Sequence, residues 1–129
     1  MSVYLWLNAV LYLGLAIWCM VLPERTSAAL GYGLTGGSGR SEYLVVYGGL
    51  QIGLAAFFAA CAARSDWHYV GVLLAVCLYV PIVLARAFSF VRYEGIGSVT
   101  IYTACLEVAL MIWGIYLIRS VGAQNLTAS

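Results

Sequence analysis

The sequence contains no lysine, one histidine and two prolines, and only 9% of its residues are charged. Its arginines are dispersed singly, so no basic patch is available to neutralise nucleic-acid phosphates, and nucleic acid is not expected as a partner. What the chain has instead is hydrophobic side chains, which make up 64% of its 129 residues. A water-soluble fold could not bury that much apolar surface, so the composition predicts a membrane protein.

The sequence also lacks the usual signs of catalysis and metal binding. No Ser/His/Asp set, phosphate-binding loop, dinucleotide fingerprint or HExxH motif occurs. His68 stands alone between two aromatic residues, which favours membrane anchoring over haem or proton chemistry. The cysteines fall in four separate apolar runs without metal-ligand spacing, at Cys19, Cys61, Cys77 and Cys105. We predict that they are buried as small apolar side chains. We therefore expect no metal and no cofactor.

Four apolar runs are long enough to cross a hydrocarbon core of about 30 Å, which takes about 20 helical residues. They cover residues 3–22, 42–63, 67–88 and 98–118. Because backbone polar groups must be satisfied inside lipid, runs of this length predict helices. We predict an all-α, polytopic membrane protein, one domain built as an antiparallel bundle of four transmembrane helices. The first run is longer than a signal-peptide core and follows no Lys or Arg, so we expect it to be retained.

The segments between the runs predict short connections. Pro23 favours the end of the first helix, and the glycine-rich segment 31–39 is predicted to be a loop because glycine disfavours helix. The segments 64–66 and 92–95 are too short to cross the membrane again. Each is therefore predicted to connect two helices that lie antiparallel beside each other.

Charged residues inside the apolar runs call for an explanation, because an ionisable group is costly in lipid. Glu107 lies in the middle of the fourth run, and Arg86 lies in the last turns of the third. A long arginine side chain can span most of the difference in depth between them. We predict that Arg86 pairs with Glu107 or with Glu42, which begins the second run.

A polar layer is predicted at the depth of Glu107. Gln51 and Tyr79 fall at this depth when residues are counted from the same membrane face, and Tyr47 precedes Gln51 by one helical turn. The candidate ligand-binding or charge network is Glu42, Tyr47, Gln51, Tyr79, Arg86 and Glu107. Two interpretations stay open: the charges fix helix register, or the layer handles a ligand or a proton.

Small residues form a strip along the second predicted helix. Gly49 and Gly53 make a GxxxG motif, which Ala56 and Ala60 continue. Such a strip allows another helix to approach closely. An internal helix contact is favoured over a homodimer seam, and both alternatives stay open.

One set of residues along the chain forms a recognisable pattern: Pro23, Leu30-Gly31, Glu42, Tyr47-Gly48-Gly49-Leu50, Arg86, Glu94-Gly95 and Glu107. In this pattern the sequence resembles a bacterial family of small four-helix membrane proteins of unknown function, which are distantly similar to DoxX-like proteins. The Glu then Tyr-Gly-Gly segment is its strongest part. Leu44 stands where the family pattern has an arginine, and Glu94 stands where it has an aspartate. The resemblance implies a bacterial cytoplasmic membrane and supplies no established activity.

Three functions compete on this evidence. The favoured one is a non-enzymatic membrane protein, either an accessory subunit of a larger complex or a self-associating bundle. The alternative is a binding or transport module in which the polar layer holds a lipid, a quinone or another amphipathic small molecule. An intramembrane enzyme with Glu107 as general acid or base is less favoured, because a single carboxylate is thin support for catalysis.

Overall fold

A computed structural model describes the backbone of residues 1–127 and the side chains of residues 1–121. The chain is 88% helical and no strand occurs within residues 1–127, which confirms the all-α prediction. The α-helices are α1 (Ser2–Val21), α2 (Pro23–Ala29), α3 (Gly36–Leu44), α4 (Leu50–Ala62), α5 (His68–Arg92) and α6 (Ser98–Thr127). A π-helix, Val45–Gly49, joins α3 to α4, and a 3-10 helix, Ser65–Trp67, precedes α5.

Four helical segments are long and apolar enough to cross a membrane. They are Ser2–Val21, Gly36–Ala62, Ser65–Arg92 and Ser98–Val121. Each has a mean hydropathy of 1.8 or more in its best window, so the predicted number and order of spans are confirmed. The chain is an integral membrane protein by length and composition of these helices.

The second span begins earlier than the sequence indicated. We predicted a loop over residues 31–39, but helix starts at Gly36 and continues without a break into the π-helix. The loop prediction holds for residues 31–35 and was wrong for residues 36–39. Glycine is only a weak helix breaker, at about 1 kcal/mol per residue, and tertiary contacts override it. Here Tyr43 is buried against the end of α1, and Arg40 pairs with Glu24 of α2 at 3.5 Å.

Pro23 both follows the first span and starts the next helix. It occupies the first turn of α2, where its missing N–H costs no hydrogen bond. This helix ends in a Schellman motif: Gly31 N–H donates to the Ala28 carbonyl at 3.0 Å and Tyr32 N–H to the Ser27 carbonyl at 2.8 Å. Gly31 has φ of +80°, which glycine adopts at little cost.

The chain divides into two compact units. The N-terminal unit comprises residues 2–65, and the C-terminal unit is described over residues 66–127. In the N-terminal unit α1 and α4 pack antiparallel, since Ser2 Oγ at the start of α1 donates to the Ala62 carbonyl at the end of α4 at 3.3 Å. Buried side chains of α4 lie at Ala55, Phe58, Cys61 and Ala62.

In the C-terminal unit α5 and α6 form a helical hairpin. The turn between them contains Gly95, whose φ of +73° is a left-handed conformation. The buried face of α5 includes Val72, Ala75 and Tyr79, and Leu110 is buried on α6. That the two units form one four-helix domain stays a prediction.

Candidate functional site

Two clusters of polar side chains lie in or beside the spans, one in each unit. We call the first the tyrosine cluster, defined as Cys19, Thr26, Tyr32, Tyr43 and Tyr47. The second is the ion pair, defined as Arg86 and Glu107. Both lie in or beside segments that are apolar enough to cross a membrane. The two differ in charge, since the tyrosine cluster carries none.

The tyrosine cluster ties the π-helix region to the end of the first span. The Tyr43 hydroxyl donates to Thr26 Oγ1 at 2.8 Å and lies 3.5 Å from Cys19 Sγ. Thr26 Oγ1 in turn donates to the Leu22 carbonyl at 2.9 Å, so the threonine is satisfied in both directions. Tyr43 and Thr26 are 5% and 3% exposed, which makes these hydrogen bonds part of the core.

Two further tyrosines extend this cluster. The ring of Tyr47 stacks on Tyr43 with centroids 4.6 Å apart and an interplanar angle of 25°. Tyr32, which follows α2, packs at a tilt against Tyr47 with centroids 6.3 Å apart. Offset and tilted geometries are the favourable ones for aromatic pairs, so the three rings stabilise one another.

The π-helix coincides with the Tyr-Gly-Gly segment. A π-turn adds one residue to a helix and commonly occurs at functional sites. Gly48 is buried there against α1, and a Cβ atom at this position would lie 2.8 Å from Met20 Cγ. The glycine therefore allows a close approach of the Met20 side chain of α1 to the π-helix.

Gln51 is the second residue of α4, just beyond the π-helix. Its Nε2 atom donates to the Val46 carbonyl at 3.2 Å, a backbone group five residues earlier. Its Oε1 atom is buried and has no hydrogen-bond donor in the part of the chain that the structure describes. Sequence analysis joined Gln51 to Tyr47 across one α-helical turn, but the π-helix changes this register, and Tyr47 packs on tyrosines instead.

The ion pair joins α5 to α6 in the C-terminal unit. Arg86 donates to Glu107 through Nε at 2.9 Å and through Nη2 at 2.6 Å, so the pair is bidentate. The side chains are 28% and 14% exposed. Of the two partners that the sequence left open for Arg86, the structure shows Glu107. Glu42 is exposed and lies on α3 of the N-terminal unit.

Helix periodicity explains why these two charges meet. Arg86 follows Tyr79 by seven residues, two helical turns, and so continues the buried face of α5. Glu107 precedes the buried Leu110 and Gly114 by three and seven residues on α6. Each charge therefore lies on the face that its helix turns towards the other. The ion pair thus joins α5 to α6, and its role in fixing the register of this hairpin stays a prediction.

Beside the ion pair, α5 carries a shallow groove of about 280 Å³. Its lining residues are Ile82, Ala85, Arg86 and Ser89. Ser89 Oγ donates to the Arg86 carbonyl at 2.8 Å, which leaves its lone pairs on the hydroxyl oxygen as acceptors. The groove thus combines an apolar wall with one cation and one hydroxyl.

The predicted site residues are thus distributed over both units. Glu42, Tyr47 and Gln51 belong to the N-terminal unit, and Tyr79, Arg86 and Glu107 belong to the C-terminal unit. Tyr79 is buried on α5. A single polar layer formed by both sets stays a prediction, as does any ligand bound by it.

The small-residue strip lies away from α1. At about 100° per residue, Gly49, Gly53, Ala56 and Ala60 fall within about 60° of one another, roughly opposite the buried face of α4. All four residues are exposed. A Cβ atom placed on Gly49 or Gly53 would meet no heavy atom within 4 Å. The strip therefore makes no close helix contact inside the N-terminal unit, where α1 packs against other residues.

Most of the tyrosine cluster was not predicted from the sequence. Tyr47 was among the predicted site residues, but Tyr43, Tyr32 and Thr26 were not. A usable signal was present, since Tyr43 and Tyr47 are four residues apart and share a helix face. It also missed Asn8, which is fully buried on α1 and donates from Nδ2 to the Tyr4 carbonyl at 2.8 Å. An asparagine inside an apolar run is the signal for such a residue.

No group of three or more His, Cys, Asp or Glu side chains that could hold a metal ion occurs among the described residues. Cys19 and Cys61 are buried, whereas Cys77 and Cys105 are exposed. The prediction of buried cysteines was therefore wrong for these last two. They lie on faces of α5 and α6 that turn away from the unit's core, as small apolar side chains in a membrane span can.

These features define an integral membrane protein with four candidate spans, a neutral tyrosine cluster and a bidentate ion pair. Residues 1–118 match the model of a family described as a domain of unknown function, DUF4345. The chain belongs to this family, which agrees with the unknown-function family expected from the sequence. No curated protein and no solved structure matches the chain. The relation to DoxX-like proteins stays a prediction.

Proposed function

We propose that this protein is a non-enzymatic membrane protein that self-associates through the small-residue strip of its second span. The observation that carries the proposal is the position of the strip. Gly49 and Gly53 have open space around them, so no packing inside the N-terminal unit explains the absence of side chains there. In lipid, helices associate through faces of small residues, because these let two backbones approach closely.

The spacing of the strip supports a specific geometry. Successive members are four, three and four residues apart, which is the spacing of the core positions in a heptad repeat. A heptad seam favours a left-handed crossing of about +20° between two helices. Two copies related by a two-fold axis along the membrane normal would align the strips in parallel.

A non-enzymatic role agrees with the chemistry of the polar clusters. The carboxylate of Glu107 is held by two hydrogen bonds from Arg86, and the hydroxyl of Tyr43 is directed at Thr26. Groups engaged in this way stabilise the fold and are not poised for proton transfer to a substrate.

The test uses leucine substitutions that leave each unit's own packing intact. Because the space beside both glycines is open, Gly49→Leu with Gly53→Leu should preserve helix content by circular dichroism. We expect the dimer dissociation constant, measured by single-molecule photobleaching in diluted vesicles, to rise at least tenfold, about 1.4 kcal/mol.

Gly14→Leu is the matched control. Gly14 on α1 is also an exposed glycine with no heavy atom within 4 Å of an added Cβ. It lies outside the strip, so its replacement should leave the dissociation constant unchanged. A monomeric wild-type protein at all accessible densities in the vesicles, or equal constants for wild type and the double variant, would contradict self-association through the strip.

We further propose that the protein resides in a bacterial cytoplasmic membrane. Four apolar helices support residence in a membrane, and the family resemblance supports this particular one. Density-gradient separation of the membranes of a producing bacterium should place the chain with an inner-membrane marker. Co-migration with an outer-membrane marker would contradict the assignment.

A further inference from the structure

The π-helix rotates the first half of the second span relative to its second half. Ala62 is buried at the end of α4, and Leu44 precedes it by 18 residues, which is five turns of an α-helix. An uninterrupted α-helix would therefore bury Leu44 on the same face. In the structure Leu44 is 40% exposed and Tyr43 is 5% exposed, so the buried face has moved by one residue. One additional residue in a π-turn produces this rotation, about 100°.

Gln51 makes one side-chain hydrogen bond to the described residues, and that bond goes to the π-helix. Its Nε2 atom donates to the Val46 carbonyl, five residues earlier, at 3.2 Å. Its Oε1 atom is buried and has no donor in the part of the chain that the structure describes. An amide with one unsatisfied atom is costly in an apolar span, where a leucine would pack without this cost. Packing therefore does not explain Gln51, whereas the hydrogen bond to the π-helix does.

The same rotation changes which residue continues the small-residue strip. Glu42 precedes Gly49 by seven residues, two α-helical turns, so an uninterrupted helix would place its carboxylate in line with the strip. The additional residue of the π-turn puts Ser41 there instead. In the proposed dimer, two copies of Glu42 in this line would face each other across the seam, and like charges placed in this way repel.

We propose that Gln51 is a positioning residue that holds the second span in its π register, in which Tyr43 faces α2 and Ser41 continues the strip. Without the amide, the span returns to the α register, in which Leu44 and Glu42 take these two positions. The contact of Tyr43 with α2 does not depend on self-association, whereas the role of Glu42 rests on the proposed dimer. The two consequences are therefore measured separately.

The first measurement follows the contact between Tyr43 and Thr26. The chain is labelled on threonine methyl groups and tyrosine rings and studied by nuclear magnetic resonance in micelles. The wild type should show a nuclear Overhauser effect between the Thr26 methyl group and the Tyr43 ring, because the two side-chain oxygens are 2.8 Å apart. Thr26→Ser assigns the methyl signal.

Gln51→Leu should abolish this Overhauser effect while helix content, measured by circular dichroism, stays at the wild-type level. Gln51→Met provides the same test if the leucine variant does not fold. An Overhauser effect of wild-type strength in a folded variant would overturn the proposal, because the π register would then be held without the amide.

Deletion of Val45 is the matched rescue. Val45 is 59% exposed at the start of the π-helix, so its removal takes out the additional residue without removing a buried side chain. An α-helix that is one residue shorter presents the same two faces as the π register. The deletion should therefore restore the Overhauser effect in Gln51→Leu and leave it unchanged in the wild type. Failure to restore it would show that Gln51 supports Tyr43 by another route, and would contradict the proposal.

Dimerisation gives the second readout. We expect the dimer dissociation constant in vesicles to rise about tenfold or more in Gln51→Leu, and to return to the wild-type value when Glu42→Ser is added. A monomeric wild type would contradict self-association, but the loss and rescue of the Tyr43 contact would still support the π register. A dissociation constant that Glu42→Ser does not restore would contradict the alignment of Glu42 with the strip.

Discussion

Each unit satisfies polar side chains in or beside a membrane span, but the two units use different interactions. The tyrosine cluster in the N-terminal unit uses neutral hydroxyls and stacked rings, and the ion pair in the C-terminal unit uses full charges. A neutral hydroxyl is cheaper to bury than a charge, but its hydrogen bond also contributes less. The N-terminal unit should therefore tolerate the loss of one polar partner, whereas the C-terminal unit should not.

The largest effect should come from removing one charge of the ion pair. Arg86→Gln leaves Glu107 in an apolar span without its bidentate partner, and this should lower the free energy of unfolding by about 3 kcal/mol or more. Steric trapping in lipid bicelles measures that quantity. The double variant Arg86→Leu with Glu107→Leu should recover most of the loss, because no charge is then unpaired.

A double-mutant cycle over Arg86→Leu, Glu107→Leu and the double variant decides whether the pair is coupled. A coupling free energy near zero would mean that each charge is stabilised independently. The contrast with the tyrosine cluster would then disappear.

A smaller effect is expected from Tyr43→Phe. The substitution keeps the ring stacked on Tyr47 but removes the hydroxyl that donates to Thr26 at 2.8 Å. The free energy of unfolding should fall by about 1 kcal/mol, the usual net value of such a hydrogen bond. Tyr116→Phe, at a tyrosine that is 67% exposed, is the control and should change it little. A loss as large as that of Arg86→Gln would make the neutral cluster as critical as the charged one.

The smallest effects are expected at two adjacent glycines of the second span, one packed against α1 and one with open space beside it. Gly48→Ala places a Cβ 2.8 Å from Met20 Cγ and should destabilise the protein by about 1 kcal/mol, since the flexible Met20 side chain can shift. Gly49→Ala meets no neighbour and should be neutral or stabilise the helix by a few tenths of a kcal/mol.

Thermal unfolding in detergent compares the two glycine variants directly. Met20→Ala should relieve the cost of Gly48→Ala by removing the atoms that the new Cβ meets. Equal stability of the two single variants would show that α1 does not approach the π-helix as closely as the structure has it.

The contrast between the clusters also explains what the sequence could predict. Arg86 and Glu107 stood out because charges are rare in apolar runs, and their depths predicted a pair within reach. Tyr43 and Thr26 did not stand out, because hydroxyl-bearing residues are common in membrane spans. Their contact also depends on α2 turning the chain after Pro23, which local patterns do not reveal.

The spans were predictable because lipid leaves few alternatives to an apolar helix of about 20 residues. The start of the second span was not predictable, because α3 begins with a glycine-rich stretch, residues 36–39. Later residues of α3 stabilise this helix through contacts with α2: Tyr43 bonds to Thr26, and Arg40 pairs with Glu24. The π-helix was not predicted either, because a single π-turn has no amino-acid composition that distinguishes it from an α-helix.

Disulfide crosslinking in native membranes tests self-association through the strip most directly. In a chain with Cys77 and Cys105 replaced by alanine, Ala56→Cys places a thiol on the strip, and Phe57→Cys places one on the neighbouring exposed face of α4. Two parallel strips bring equivalent positions together, so mild oxidation should crosslink the Ala56 variant to a dimer and leave the Phe57 variant largely monomeric. Crosslinking of both to the same extent, or of neither, would contradict a dimer formed along Gly49, Gly53, Ala56 and Ala60.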